Sequence, residues 1–428
     1  MGSHKSAASL WVRKNKDELI SLLQDLVRIP SITGKEYDVQ KFILEKLKEI
    51  DLDTKFIFPD INVLKNHDEF FETTSFVNQG YDNRPNVFSV LKGKGNGSSL
   101  CLSGHVDVVS PEPLTEWTRD PWGGEIEGNL LFGRGSGDMK AGIAAMVFAV
   151  QALKETDTKL SGDIFLETTI EEEDGGVGGN LYMRITQPKP NAAIIPEPSD
   201  YTIGLASAGV MYFRVVVPGF PAHAATAHFG ENAILKMVPI IEALKNLNKE
   251  RQKTISYPYA EWDPSMKGRA TTINIGVISA GDWPSTVPGL CEIKCRVGWP
   301  PGETYKEVRD QIENTIMDVA KKDNWLREHP PRIEWFGWRA RPHEQNPDHP
   351  FVKLLEDQVI KHIGRRVAFT GGAAGLDTRF FVHHGVPAVV FGPKAERIHS
   401  SDERVDLEST IKVTEVLVEI MTNWCGLF

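Results

Sequence analysis

Between residues 15 and 50 apolar side chains recur at helical spacing: Leu19, Leu22, Leu23 and Leu26, then Val39, Phe42, Ile43 and Leu47, with RIPSITG as the break. Two helices are predicted there. From residue 53 onward the pattern shortens to β-type runs, TKFIF, NVFSVLKG and SLCLSGHVDVV, parted by the Gly-rich turn GKGNG. The polar stretch 60–84 reads as an extra loop. After a loop rich in Pro, Trp and Gly at 110–137, Asp138 opens a predicted helix, MKAGIAAMVFAVQALKE. DIFLETTI is then a strand running into the acidic turn EEEDGG, and NAAIIPEP is a strand ending in Glu197. Alternating strands and helices imply an α/β fold with functional loops at strand ends.

A different pattern begins near Ala208. MYFRVVV, a helix from Asn232 to about Arg251, TTINIGVISA, CEIKCRVGW, the helix YKEVRDQIENTIMDVAKK and RIEWFGW spell β-α-β-β-α-β, an order complete in itself. Beyond about 345 the first pattern returns with FVKLLEDQVIKHI, PAVVFGP and a final helix from Leu407 to Trp424. The expectation is a discontinuous α/β domain, 1–207 and 343–428, carrying an inserted α+β domain at 208–342.

Length, 428 residues, permits two domains with sizeable cores, and 41% hydrophobic with 25% charged residues is ordinary globular composition. A net charge of -10, with the basic residues scattered, argues against nucleic acid as a partner. No apolar run approaches the roughly 20 residues that span a bilayer. The start MGSH resembles a cloning remnant, and MGSHKSAAS lacks the apolar core of a signal peptide, so a cytoplasmic protein is expected. Cys101, Cys291, Cys295 and Cys425 are too irregularly spaced for a disulfide framework, and Cys291 and Cys295 read as buried packing.

Candidate chemistry starts with LSGHVDVV. His105 and Asp107 lie two apart on one extended segment and share a face, the arrangement by which a carboxylate orients a metal-ligating imidazole. Asp138 in GRGSGDMKAG, Glu173 in TTIEEEDGG, Glu197 in IIPEPSD and His399 in AERIHSSDE complete a set at loops and strand ends. Two imidazoles and three carboxylates suit a pair of borderline divalent ions, one carboxylate bridging. Each has a structural alternative: Asp138 as a helix N-cap, Glu197 as a solvated charge, His399 as a surface residue. GKGNG and GRGSG lack phosphate-loop spacing, and no Ser or Cys sits in a nucleophile signature.

Taken together the segments resemble the zinc amidohydrolase and exopeptidase family of acetylornithine deacetylase, succinyl-diaminopimelate desuccinylase, aminoacylase and glutamate carboxypeptidase. The likeness runs through the His-x-Asp strand, G-R-G-x-x-D-M-K, the paired Glu turn, the E-P strand end, a G-x-x-x-H in the inserted domain and the terminal His. It implies a zinc-peptidase-like catalytic domain with an inserted lid and dimerisation domain. It also implies two Zn²⁺, with Co²⁺ or Mn²⁺ as possible replacements: one held by His105, Asp138 and Glu197, the other by Asp138, Glu173 and His399. Asp107 would orient His105, Glu172 would be the general base, and a cis peptide would follow Asp138. Among Glu171, Glu172 and Glu173 a slip by one is open, although Asp174 and Gly175 fit the family's E-E-x-G.

The resemblance further brings His223 to the active site of a partner subunit, so a homodimer through the inserted domain is expected; His228 reads as structural. Arg296 and the loop TGGAAGLDTRFF, with Gly372, Gly375, Asp377 and Arg379, match positions that contact a substrate's carboxylate or main chain, with salt bridging the alternative for both arginines. Ser285 stands where many relatives have Asn, which weakens the usual carboxylate clamp. The expected activity is hydrolysis of the amide bond of an N-acyl amino acid or N-acyl amine, closest in pattern to acetylornithine deacetylase. A metallo-exopeptidase or dipeptidase acting on short peptides, and a metal-stabilised binding protein without turnover, are the alternatives.

Overall fold

The structure, a computed structural model, describes residues 6–372 and 374–428; the MGSH start lies outside them. The chain divides into two compact units. One comprises the residues up to Leu205, Glu344–Thr370 and Leu376–Phe428, the other Ala206–His343 with Gly371–Gly375.

A mixed sheet forms the first unit. Its strands run in the order Asp53–Ile57, Asn86–Leu91, Ile164–Thr169, Leu100–His105, Ala192–Ile195, Ala388–Val390, Ile203–Ser207 and His343–Glu344, with Phe369–Gly371 also paired to Ile203–Ser207. Leu100–His105 is parallel to both of its neighbours, and Ala388–Val390 is parallel to Ala192–Ile195. Every residue of Leu100–His105, Ile164–Thr169 and Ala192–Ile195 is buried, as sheets covered on both faces require. Parallel strands need crossovers, and helix Ala141–Glu155, apolar on nearly all sides, makes the one between Leu100–His105 and Ile164–Thr169. The consequence for function is direct. Three parallel strands release their chains at one edge of the sheet, and those releases carry His105, the glutamates at 171–173 and Glu197.

Several short elements escaped the sequence pattern. Three helices, not two, occupy the beginning: Ala7–Lys14, Lys16–Arg28 and Tyr37–Glu49. The first was hidden because it adjoins the start set aside as a remnant. The stretch 60–84 contains helices Ile61–Leu64 and Thr74–Gln79, too short to show a period. Helix Ala141–Glu155 starts three residues later than expected, because Ser136–Lys140 is an irregular turn with non-helical backbone at Asp138 and Met139. Asp138 is therefore not an N-cap.

In the second unit a four-stranded antiparallel sheet, ordered Thr272–Ala280, Leu290–Trp299, Gly209–Pro218, Arg332–Ala340, packs one face on helices Ala233–Thr254 and Tyr305–Ala320. The alternation along Gly209–Pro218 explains it. Met211, Phe213, Val215 and Val217 point to the helices and meet Met237, Ile240, Ile312 and Ile316. Residues 371–375, expected in the larger domain, join this unit, with the Gly371 N–H donating to the Tyr259 carbonyl at 2.7 Å and the Ala208 N–H to the Ala374 carbonyl at 3.0 Å. All four cysteines are buried and unpaired.

Candidate metal centre

His105 ends its strand almost fully buried, with Nε2 3.1 Å from Asp138 Oδ1 and 3.2 Å from Glu197 Oε1. The other oxygen of Asp138, Oδ2, lies 3.3 Å from His399 Nε2, which is 3.0 Å from Glu173 Oε1. Asp138 thus stands between two half-sites, each with one imidazole and one further carboxylate. The peptide between Asp138 and Met139 is cis. All five expected ligands are brought together within the first unit.

Asp107 is more than an orienter of His105. Its backbone carbonyl meets His105 Nδ1 at 2.9 Å, whereas its carboxylate is 3.5 Å from that nitrogen. The carboxylate instead accepts the N–H groups of Glu172 at 3.0 Å and Glu173 at 3.2 Å, and the hydroxyl of Thr33 at 2.9 Å. One residue therefore aligns a ring and a turn. Glu171, with left-handed backbone at φ 54°, is turned into the interior, where Tyr81, Ser75, Thr73 and the Gly178 N–H donate to its carboxylate. Of the three glutamates it is the one removed from the centre, leaving Glu172 and Glu173 beside it.

The electrostatics of this donor set suit a cation. Burial pushes Glu197 up to about 8 and Glu173 up to about 7, and it holds Glu172 well above the carboxylate range. Asp138, against the effect of burial, is held low by hydrogen bonds from both imidazoles, and His399 is raised to about 10 by Asp138 and Glu173. Converging carboxylates that must otherwise share protons are the ligands a divalent cation takes with release of those protons. Oxygen and imidazole donors fit a borderline divalent metal such as zinc. Ligand atoms of His105, Asp138 and Glu173 all lie within 4.8 Å of one another.

The sequence profile of Peptidase family M20/M25/M40 matches residues 101–423, most of the chain, a range that includes all five expected ligands. The chain belongs to this family. It is 28% identical to an N-formyl-4-amino-5-aminomethyl-2-methylpyrimidine deformylase of Halalkalibacterium halodurans, over 97% of this chain and 96% of the relative. The enzyme of the same name from Bacillus subtilis is 30% identical over 81% of this chain and 84% of its own. A tripeptidase of Staphylococcus aureus, 21% identical, superposes with a TM-score of 0.74 over 96% of this chain and 99% of its own, which is a likeness of fold. Membership makes the chain a metal-dependent amidohydrolase.

Other residues of this M20/M25/M40 chain divide by unit. His223, exposed, caps the turn Ala224–Phe229, its Nδ1 accepting the Ala225 N–H at 3.1 Å. Ser285 supplies its carbonyl to the Ala224 N–H at 2.9 Å. Arg296 sits opposite Tyr212 and Asn274 in the sheet, with burial lowering its pKa. Gly375 lies against Trp338, where a Cβ would come within 3.3 Å of the indole. With Gly372, these residues belong to the second unit. Asp377 and Arg379 are buried in the first unit. Asp377 accepts from Asn180 at 2.8 Å, and Arg379 donates to the carbonyls of Gly175 at 2.5 Å and Leu376 at 3.1 Å, behind the glutamate turn.

Sequence reasoning missed Glu403 and Arg134. Glu403 accepts the N–H groups of Gly137 at 3.0 Å and Asp138 at 3.1 Å and is itself held by Arg134 at 2.5 Å, so this buried pair sets the turn that presents Asp138. In SSDERV one acid among several carries no signal. Arg134, inside the quoted G-R-G, was the available clue.

Proposed function

We propose that this chain is a dinuclear zinc hydrolase that removes an acyl group, formyl foremost, from the nitrogen of a small N-acyl amine. The observation that carries it is the symmetric environment of Asp138, flanked by His105 with Glu197 and by His399 with Glu173, with Glu172 buried beside it. When bound, two cations supply Lewis acidity at the acyl carbonyl and ease deprotonation of water. Glu172, held among neighbouring carboxylates, accepts the proton of the attacking water and returns it to the departing nitrogen. His223 of a second copy donates to the developing oxyanion. Arg296, Gly372 and Gly375 are proposed to contact the substrate.

The two relatives named as deformylases support the substrate class, since this chain resembles them over most of its length. Ser285 in place of Asn agrees with a substrate that has no carboxylate to clamp. A homodimer through the second unit is supported by an open edge. Thr272–Ala280 has a neighbour on one side only and exposes Val277 and Ile278, while helix Ala233–Thr254 exposes Leu235 and Val238. No helix among the described residues is long and apolar enough to cross a membrane. Four buried unpaired cysteines fit the reducing cytoplasm.

The test is amine release by metal-replete protein from N-formylated aminomethyl heteroaromatics, N-acyl amino acids and dipeptides. Preferred turnover of the first group supports the proposal. Preference for dipeptides makes the chain a peptidase, and bound metal without any turnover makes it a binding protein.

A further inference from the structure

The stretch 60–84, which has the polarity of a surface loop, ends in a buried arginine. Arg84 is 2% exposed and donates Nε and Nη2 to the two oxygens of Glu36 at 2.9 and 2.8 Å, while Nη2 also lies 3.3 Å from Glu171 Oε2. Both carboxylates are fully buried, and a single planar guanidinium joins them. What each carboxylate leads to is the informative part.

Through Glu171 the contact continues into the glutamate turn. Glu171 takes hydrogen bonds from Tyr81 at 2.8 Å, Ser75 at 2.9 Å and the Gly178 N–H at 2.6 Å, and its left-handed backbone sets the direction in which Glu172 and Glu173 leave. The Tyr81 ring packs so tightly on Gly178 that a Cβ there would meet it at 2.3 Å. Through Glu36 the contact runs the other way. Glu36 accepts the Gly34 N–H at 2.7 Å, fixing the bend that follows Thr33, and Thr33 donates its hydroxyl to Asp107. The same bend is tied to the strand end by the Thr33 N–H on the Val108 carbonyl at 3.1 Å and by Ser31 Oγ on the Val106 carbonyl at 2.7 Å. Asp107 then holds His105 and the N–H groups of Glu172 and Glu173.

We infer that Arg84 is a positioning residue for the hydrolytic step, locking the Thr33–Asp107–His105 arm to the Glu171–Glu172–Glu173 arm so that base and ligands keep one mutual geometry. The inference rests on Glu172 being the base. Lysine keeps the charge at position 84 but lacks the planar fork needed to span both carboxylates. Arg84→Lys is therefore expected to lower kcat about 10 to 100-fold, the usual size for loss of a group that orients a ligand, with KM and bound metal unchanged. Tyr81→Phe, which deletes one hydroxyl from Glu171, should give a smaller loss of the same kind and guards against misfolding of the first variant.

Arg251→Lys is the control, because Arg251 is equally buried and ion-paired to Glu303 in the second unit. Glu172→Gln is measured alongside on the same substrate, with metal content and melting temperature recorded for all four variants. An inactive Glu172→Gln, with kcat loss in Arg84→Lys well beyond that of Arg251→Lys at full metal content, supports the inference. If Glu172→Gln is inactive and Arg84→Lys matches Arg251→Lys, or loses activity only in step with metal, the inference is wrong. A fully active Glu172→Gln overturns the reading of the base instead.

Discussion

The metal centre in the first unit and the His223 turn in the second are built on opposite plans. Around Asp138 the supporting groups are held by further side chains, Asp107 by Thr33, the turn at Asp138 by Glu403 and Glu171 by four donors, while Asp138 and Glu173 are half-buried and His399 is exposed. His223 is exposed, and its fastenings are local: the Ala225 N–H on Nδ1, the Thr226 N–H and hydroxyl on its carbonyl, and a bridge to Thr286. The contrast follows from what each must do. Carboxylates gathered to take cations repel one another until the cations arrive, so the protein must enforce their approach with buried networks. On the proposed reading His223 touches only a developing oxyanion, and such a group needs no cage of that kind.

The sharpest way to strain this comparison is to remove proton transfer while keeping the cage. Glu172→Gln is nearly isosteric, and the loss of a general base costs about 10² to 10⁴ in kcat. The expected result is that loss, with metal content and melting temperature unchanged. A melting shift comparable to that of a ligand variant would place Glu172 among the structural carboxylates. His223→Ala comes next, at about 10² to 10³ in kcat, the typical cost of one oxyanion donor. Because His223 is exposed, the comparison requires no change in melting temperature, and full activity would remove it from the reaction.

The two plans also explain what could be seen in the sequence. His105, Asp138, Glu173, Glu197 and His399 were legible because ligand types sit at strand ends within motifs, and the β-α-β-β-α-β order was legible because its strands alternate cleanly. The register among Glu171, Glu172 and Glu173 was only partly legible, since three identical residues allow a slip by one and only Asp174 and Gly175 after them favour one choice. The structure adds that Glu171 is engaged by donors from residues of the supposed loop 60–84. Glu36, Arg84 and Glu403 were invisible for a related reason: a buried ion pair has the same letters as a solvated one. Asp377 and Arg379, polar residues of a glycine-rich loop, are turned inward by the fold, and their letters do not show that either.

A smaller effect tests how tightly the cage is coupled. Asp107→Ala leaves the five proposed ligands and the backbone carbonyl on His105 Nδ1 in place, but removes the carboxylate that accepts the N–H groups of Glu172 and Glu173. Metal affinity, read by competition with a chelator, should fall about 10 to 100-fold. Thr33→Val removes only the hydroxyl on Asp107 and should fall between Asp107→Ala and the parent. Equal affinity in all three proteins would mean that the ligands hold their places without the network.

The gentlest test concerns where the oxyanion donor comes from. In a twofold dimer with His223 acting across the interface, a subunit carrying Glu172→Gln still offers a sound His223, and one carrying His223→Ala still offers a sound Glu172. Co-expressed in equal amounts, the two inactive variants form mixed dimers in half of the cases, each with one complete site, so activity should return to about a quarter of the parent value by symmetry alone. If His223 served its own chain, every site in the mixture would lack one group and nothing would return. Charged substitutions at Val277 and Ile278 on the open strand edge should abolish that recovery together with the dimer, as seen by size-exclusion chromatography. An active monomer would show that the exposed turn completes its own chain's site and needs no second copy.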